Sequence, residues 1–124
     1  MLTTQRKPSS AVLAAANAQA MAHYRDMRVE LMSAPGVDTA TCEIVLAMQL
    51  ALRGHEVPFK VHAMRAVAQG VSPTQLEGLL MAGLGVTLVA FETARALEWL
   101  REAQAEAHQS ASLPNSNDPA LGPQ

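Results

Sequence analysis

Apolar residues recur at helical spacing along most of the chain, and no stretch alternates as a half-buried strand would. From Ser9 or Ser10, either able to cap a helix, a stripe of Leu13, Ala16, Ala20, Tyr24, Met27 and Leu31 predicts one long helix over residues 9–33. Ala34-Pro35-Gly36 ends it. Asp38 is placed to cap a second helix that runs to Arg53 and stops at Gly54. Ile44, Val45, Leu46, Ala47, Met48, Leu50, Ala51 and Leu52 run nearly all round that helix, the pattern of one in the middle of a bundle. A short loop then leads to Pro58, which reads as the first residue of a third helix ending at Gln69, with Gly70 beyond.

Ser72-Pro73-Thr74-Gln75 is the strongest local signal. It combines a serine N-cap, a proline at the first helical position and a glutamine three residues after the cap, which is a capping box. The fourth helix spans residues 73–84 and the fifth 86–107. Residues 1–8 read as a disordered lead-in, and 108–124, rich in Ser, Asn and Pro, as a disordered tail. The expectation is an all-α bundle of about five helices, a single domain over residues 9–107.

Composition agrees. Of 124 residues, 49% are hydrophobic but only 3% aromatic, so the apolar mass is Ala, Leu, Val and Met, which favours close-packed helices over sheets. A formal net charge of −2 leaves no basic excess to neutralise phosphates, so no nucleic-acid partner is expected. No apolar run approaches the ~18–20 residues of a membrane span, and no membrane partner is expected. Arg6 and Lys7 precede a weakly apolar segment, but Val12 and Leu13 are its only strong hydrophobes, so no signal peptide is expected. Cys42 stands alone, which excludes an intrachain disulfide and points to a reducing, cytoplasmic setting.

Four histidines and several carboxylates are the chemically able groups. Glu43 lies inside the most apolar helix, where a carboxylate is costly unless paired or protonated. His62 follows Pro58 by one turn. A buried Glu facing a His can move protons near neutral pH, and it can equally be a structural pair tying two helices together. His55-Glu56 is not the HExxH zinc motif, since the next histidine is seven residues on and Pro58 intervenes. A metal site from His55, Glu56 and His62 is a lesser alternative, and the expectation is no metal and no cofactor. His23 and His108 read as surface residues, and Cys42 has no cationic neighbour to activate it.

From Glu43 to about Leu97 the chain resembles the carboxymuconolactone decarboxylase family, which includes alkylhydroperoxidase D. The resemblance rests on Glu43-Ile44-Val45, Leu50-Ala51-Leu52, His62, Gly70-Val71-Ser72 with Leu76, Gly85-Val86 and Ala90-Phe91. It implies an alkylhydroperoxidase D-like helical bundle. The peroxidase branch carries a Cys-x-x-Cys-x-x-x-His run preceded by a Glu. Here Glu43 and His62 match, while His55 and Pro58 replace both cysteines. Peroxide reduction in that branch needs an attacking thiolate and a resolving thiol, so this chemistry is excluded at the site.

The decarboxylase branch is closer. It implies loss of carbon dioxide from a lactone acid without a cofactor, with His62 as proton donor and acceptor, Glu43 beside it and His55 as a substrate-binding candidate. Thr87 replaces a family proline, Gln75 and Gly78 replace glutamates, and Gly83 stands where a tyrosine is common. Two expectations result: a small enzyme acting on a lactone or keto acid, or a degenerate member that binds a small organic acid or a partner as an oligomeric scaffold.

A domain this small leaves much of its apolar load uncovered as a monomer. In the fifth helix Val89, Thr93, Ala96, Leu97 and Leu100 suit the core. Leu88, Phe91 and Trp99 fall on another face, among Glu92, Arg95 and Glu102, as at an interface centre with a polar rim. A homo-oligomer is therefore expected, and the resemblance implies a trimer or hexamer.

Overall fold

The computed structural model describes residues 8–112. The predicted lead-in, Pro8 apart, and the tail from residue 113 lie outside them. Six helices follow in order: α1 Ser9–Ala16, α2 Ala18–Leu31, α3 Thr39–Arg53, α4 Glu56–Ala68, α5 Pro73–Gly83 and α6 Ala90–Ser112. No strand occurs among the described residues, only one isolated bridge between Leu84 and Leu88. The fold is all-α.

The first predicted helix is two. Asn17 adopts extended backbone (φ −157°, ψ 92°), ending α1 and capping α2, where its side chain accepts the Ala20 N–H at 2.9 Å. Asparagine competes for nearby amides in this way, which disfavours it inside helices and favours it at their starts. Pro58 also sits later than expected. His55 is the N-cap of α4 and Glu56 its first residue, so Pro58 falls third. Any residue of the first turn lacks an intrahelical acceptor for its N–H, so proline costs no bond there.

The fifth predicted helix begins at Ala90 rather than residue 86. Gly83 O accepts the N–H groups of Val86, Thr87 and Leu88, and Gly85 takes φ +82°, so residues 84–89 form a compact turn. Leu88 is therefore buried and Val89 exposed, the reverse of the faces expected. At its other end α6 continues to Ser112, so residues 108–112 belong to a helix and not to a disordered tail. The capping box of α5 forms as read: Ser72 Oγ accepts from Gln75 N at 3.0 Å and Gln75 Oε1 from Ser72 N at 2.8 Å.

By packing, the chain divides into two compact units, Met1–Asp38 and Thr39–Gln124. In the first, α1 and α2 meet at Asn17, and Leu13, Tyr24, Met27 and Leu31 of the expected stripe remain about half exposed. In the second, α3 and α4 pair across the Gly54 turn, and α6 packs on α4, α5 and α3. Its core centres on Phe59, Leu76, Leu80 and Leu100, with Ala47, Ala51, Ala63, Ala66, Ala96 and Ala103 filling the space between helices. Helix α3 is not surrounded. Its buried side chains, Glu43, Ala47 and Ala51, form one stripe at four-residue spacing, while Val45 and Leu52 stand open. Four helices do not supply neighbours on every side.

Candidate functional site

Glu43 takes its place in the buried stripe of α3 and is 4% exposed. His62 lies on α4, the helix most closely packed against α3. The two side chains meet: His62 Nδ1 is 2.7 Å from Glu43 Oε2, within a short charge-assisted hydrogen bond. With the carboxylate as acceptor, Nδ1 carries the proton, and the ring's chemistry passes to Nε2. The His62 side chain is 18% exposed and that of Glu43 5%, so the acid is sealed behind a histidine that reaches the surface. Such an arrangement can fix the orientation and tautomer of an imidazole, one role of the carboxylate in hydrolytic triads.

The third candidate residue is elsewhere. His55 is exposed at the start of α4, and its Nε2 accepts from Arg53 Nε at 3.4 Å. Glu56 is 3.1 Å from Lys60 Nζ. His55, Glu56 and His62 thus have separate partners, and among the described residues no group of three potential metal ligands comes together. Cys42, a free thiol, is partly buried, and His23 and His108 are exposed.

Open clefts lie nearby. One of about 390 Å³ is lined by Ile44, Val71, Gln75, Gly78 and Leu79, and is mostly apolar. It starts one residue from Glu43, but neither Glu43 nor His62 lines it. A second, of about 460 Å³, lies among Met64, Val67, Pro73, Gln104, Ala107, His108 and Ala111.

No family model, curated protein or solved structure matches this chain. No helix among the described residues is long and apolar enough to cross a membrane.

Two further clusters are only partly signalled in the sequence. Lys60 Nζ lies 3.1, 3.1 and 3.2 Å from carboxylate oxygens of Glu56, Glu102 and Glu106. Burial works against its charge, yet the three carboxylates outweigh burial and hold the ammonium's pKa well above the usual lysine value. Only the Glu56 contact is local, four residues away on α4, so only it had a sequence signal.

The other cluster is on α6, where Phe91, Arg95 and Trp99 succeed one another at one-turn intervals. The Arg95 guanidinium carbon is 5.5 Å from the Phe91 ring centroid and 4.8 Å from that of Trp99. Trp99 in turn packs on Phe59, with ring centroids 5.9 Å apart, so it covers its own chain's core. Arg95 Nε is buried with no hydrogen-bond partner. Such a donor costs about 1–3 kcal/mol, which stacking on two rings offsets in part.

Proposed function

We propose that Glu43 and His62 form an acid–base pair acting on a small organic acid, a lactone or keto acid, by a cofactor-independent lyase reaction of the carboxymuconolactone decarboxylase type. The observation that carries this reading is the 2.7 Å contact between a sealed carboxylate and a surface-reaching imidazole. In such a reaction the bond to the carboxylate carbon breaks, carbon dioxide leaves, and its electron pair passes into an enolate. His62, charged and held by Glu43, then delivers a proton to that enolate from Nε2. His55 is left to the substrate's periphery, since it lies with Arg53 and not beside His62.

The test is release of carbon dioxide from lactone and β-keto acids by wild type, His62→Ala and His62→Gln. Loss of ~100- to 10,000-fold in both variants supports the reading. Equal activity in all three removes it.

The second reading is a scaffold that keeps the fold and binds a ligand or partner without turnover. It draws support from the open clefts, which the pair does not line, and from the exposed apolar side chains. In both readings we take the protein to be cytoplasmic and a homo-oligomer, a trimer or hexamer. Trp99 covers Phe59 and drops out of that contact surface, whereas Val57, Val61, Val86 and Val89 stand open. A monomer mass by light scattering at micromolar concentration would refute the assembly.

A further inference from the structure

We infer that the cleft between α3 and α5 is where two copies of this chain meet, each placing Leu79 over Gly78 of the other about a two-fold axis, an inference that rests on the self-association proposed above. Gly78 lies inside α5, where glycine is less favourable than alanine, and a Cβ there would meet nothing within 4 Å. Every other glycine of the described residues has a reason within the chain. Gly36, Gly54, Gly70 and Gly85 take positive φ, and a Cβ on Gly83 would crowd Thr87 and Leu88 at 3.0 and 3.3 Å. Gly78 has neither reason, so the room it leaves is open to a group from outside its own fold.

That room belongs to the mostly apolar cleft of about 390 Å³ that Gly78 lines together with Ile44, Val71, Gln75 and Leu79. Leu79 is 40% exposed beside the glycine. The face thus carries a projection and a hollow one residue apart, which lets it pack on its own copy. In a two-fold contact the same patch serves both chains, and each leucine enters the other's hollow. A trimer has no two-fold axis, so of the two assemblies proposed above this contact selects the hexamer.

Charge selects the same face and the same partner. None of the five lining residues is charged, and Glu77, the one charged residue of α5, is half-buried and does not line the cleft. On α3 the one acid, Glu43, is buried, while Val45 and Leu52 stand open. Helix α6 is acidic on balance, with Glu92, Glu98, Glu102 and Glu106 against Arg95 and Arg101. Two copies meeting through α6 would set like charges opposite one another, whereas the uncharged cleft brings no such cost. A basic partner protein would be drawn to α6 instead, which leaves the cleft to a chain of the same charge. Depletion of charge is also what distinguishes the centre of an interface from the rest of a surface.

The test uses full-length protein with Cys42→Ser, so that only an introduced thiol can react. Leu79→Cys is placed in that background, with Glu98→Cys on α6 as the control. Mild oxidation is expected to join Leu79→Cys chains in pairs on non-reducing gels, about tenfold faster than Glu98→Cys, because a contact raises the effective concentration of the two thiols. Gly78→Glu fills the hollow and charges it. It should halve the light-scattering mass at a concentration where wild type is associated, with unchanged helical circular dichroism. A wild-type monomer at micromolar concentration removes this contact together with self-association. An associated wild type whose mass survives Gly78→Glu overturns the contact alone and leaves self-association standing. So does a Leu79→Cys variant that links no faster than Glu98→Cys. Should Gly78→Glu not fold, the linking rate of Leu79→Cys decides.

Discussion

The Nδ1 atom of His62 is 2.7 Å from Oε2 of Glu43, and the glutamate is the more buried of the two. That inequality sets what each substitution does. Removing the histidine strands a carboxylate among alanines, whereas removing the glutamate frees a histidine that already touches solvent. His62→Ala is expected to lower stability by about 3 kcal/mol, within the range for breaking a buried pair. Glu43→Gln, which keeps an acceptor for Nδ1, should lose less. Urea unfolding midpoints at neutral pH measure both, and a smaller loss for His62→Ala than for Glu43→Gln contradicts the inequality.

Lys60 gives a stability change with a defined pH window. Its pKa is raised in the folded state, so its contribution is complete below the unfolded value of about 10.4 and fades only as pH climbs through the higher folded value. The three partners are half exposed, which limits the contribution to about 1 kcal/mol. The gap in unfolding midpoint between wild type and Lys60→Met should stay flat from neutral pH to about pH 10. Above about pH 10 the gap should narrow, and a gap that stays flat there would show an ordinary lysine.

Gly54→Ala is expected to destabilise by about 1–2 kcal/mol, because a side chain at φ +72° is strained. The clash with Arg95 Nη2 adds little, since the end of a flexible side chain can move aside. The double variant Gly54→Ala/Arg95→Ala should therefore be close to additive in thermal melts.

Ser72→Ala removes one half of the capping box on α5 and should cost about 1 kcal/mol. Thermal unfolding checks it, and Ser72→Thr should retain most of the stability.

Hydroperoxide consumption by wild type should match that of Cys42→Ser. Cys42 is the only thiol and has no second sulfur to resolve a sulfenic acid. A rate that disappears in Cys42→Ser would reverse this reading.

Local chemistry is legible in the sequence where the signal is complete within a turn. Ser72 with Gln75 specifies its own hydrogen bonds, and both form. Glu43 stands out because a carboxylate interrupts an apolar helix, and His62 is its partner in space. Asn17 is the same kind of local signal, masked because the apolar stripe runs through it without a break in period. Leu88 and Val89 exchange their expected faces because helical phase does not extend backwards through a turn that Gly83 and Gly85 organise. The Lys60 contacts to Glu102 and Glu106 and the packing of Trp99 on Phe59 depend on α6 lying along α4, and no pattern within either helix carries that information.

The alanines of the second unit set the direction in which this protein tolerates change. Ala47, Ala51, Ala63, Ala66 and Ala96 are almost entirely buried, so each methyl group is enclosed by its neighbours. Truncation, the usual route to a damaged core, has almost nothing to remove at these positions. Enlargement is the vulnerability: a valine or leucine must force two helices apart, because packed interiors have no slack to absorb it. Variation along the seams should accordingly be confined to glycine, alanine, serine and cysteine. The longer side chains of Phe59, Leu76, Leu80 and Leu100 carry the ordinary sensitivity to loss.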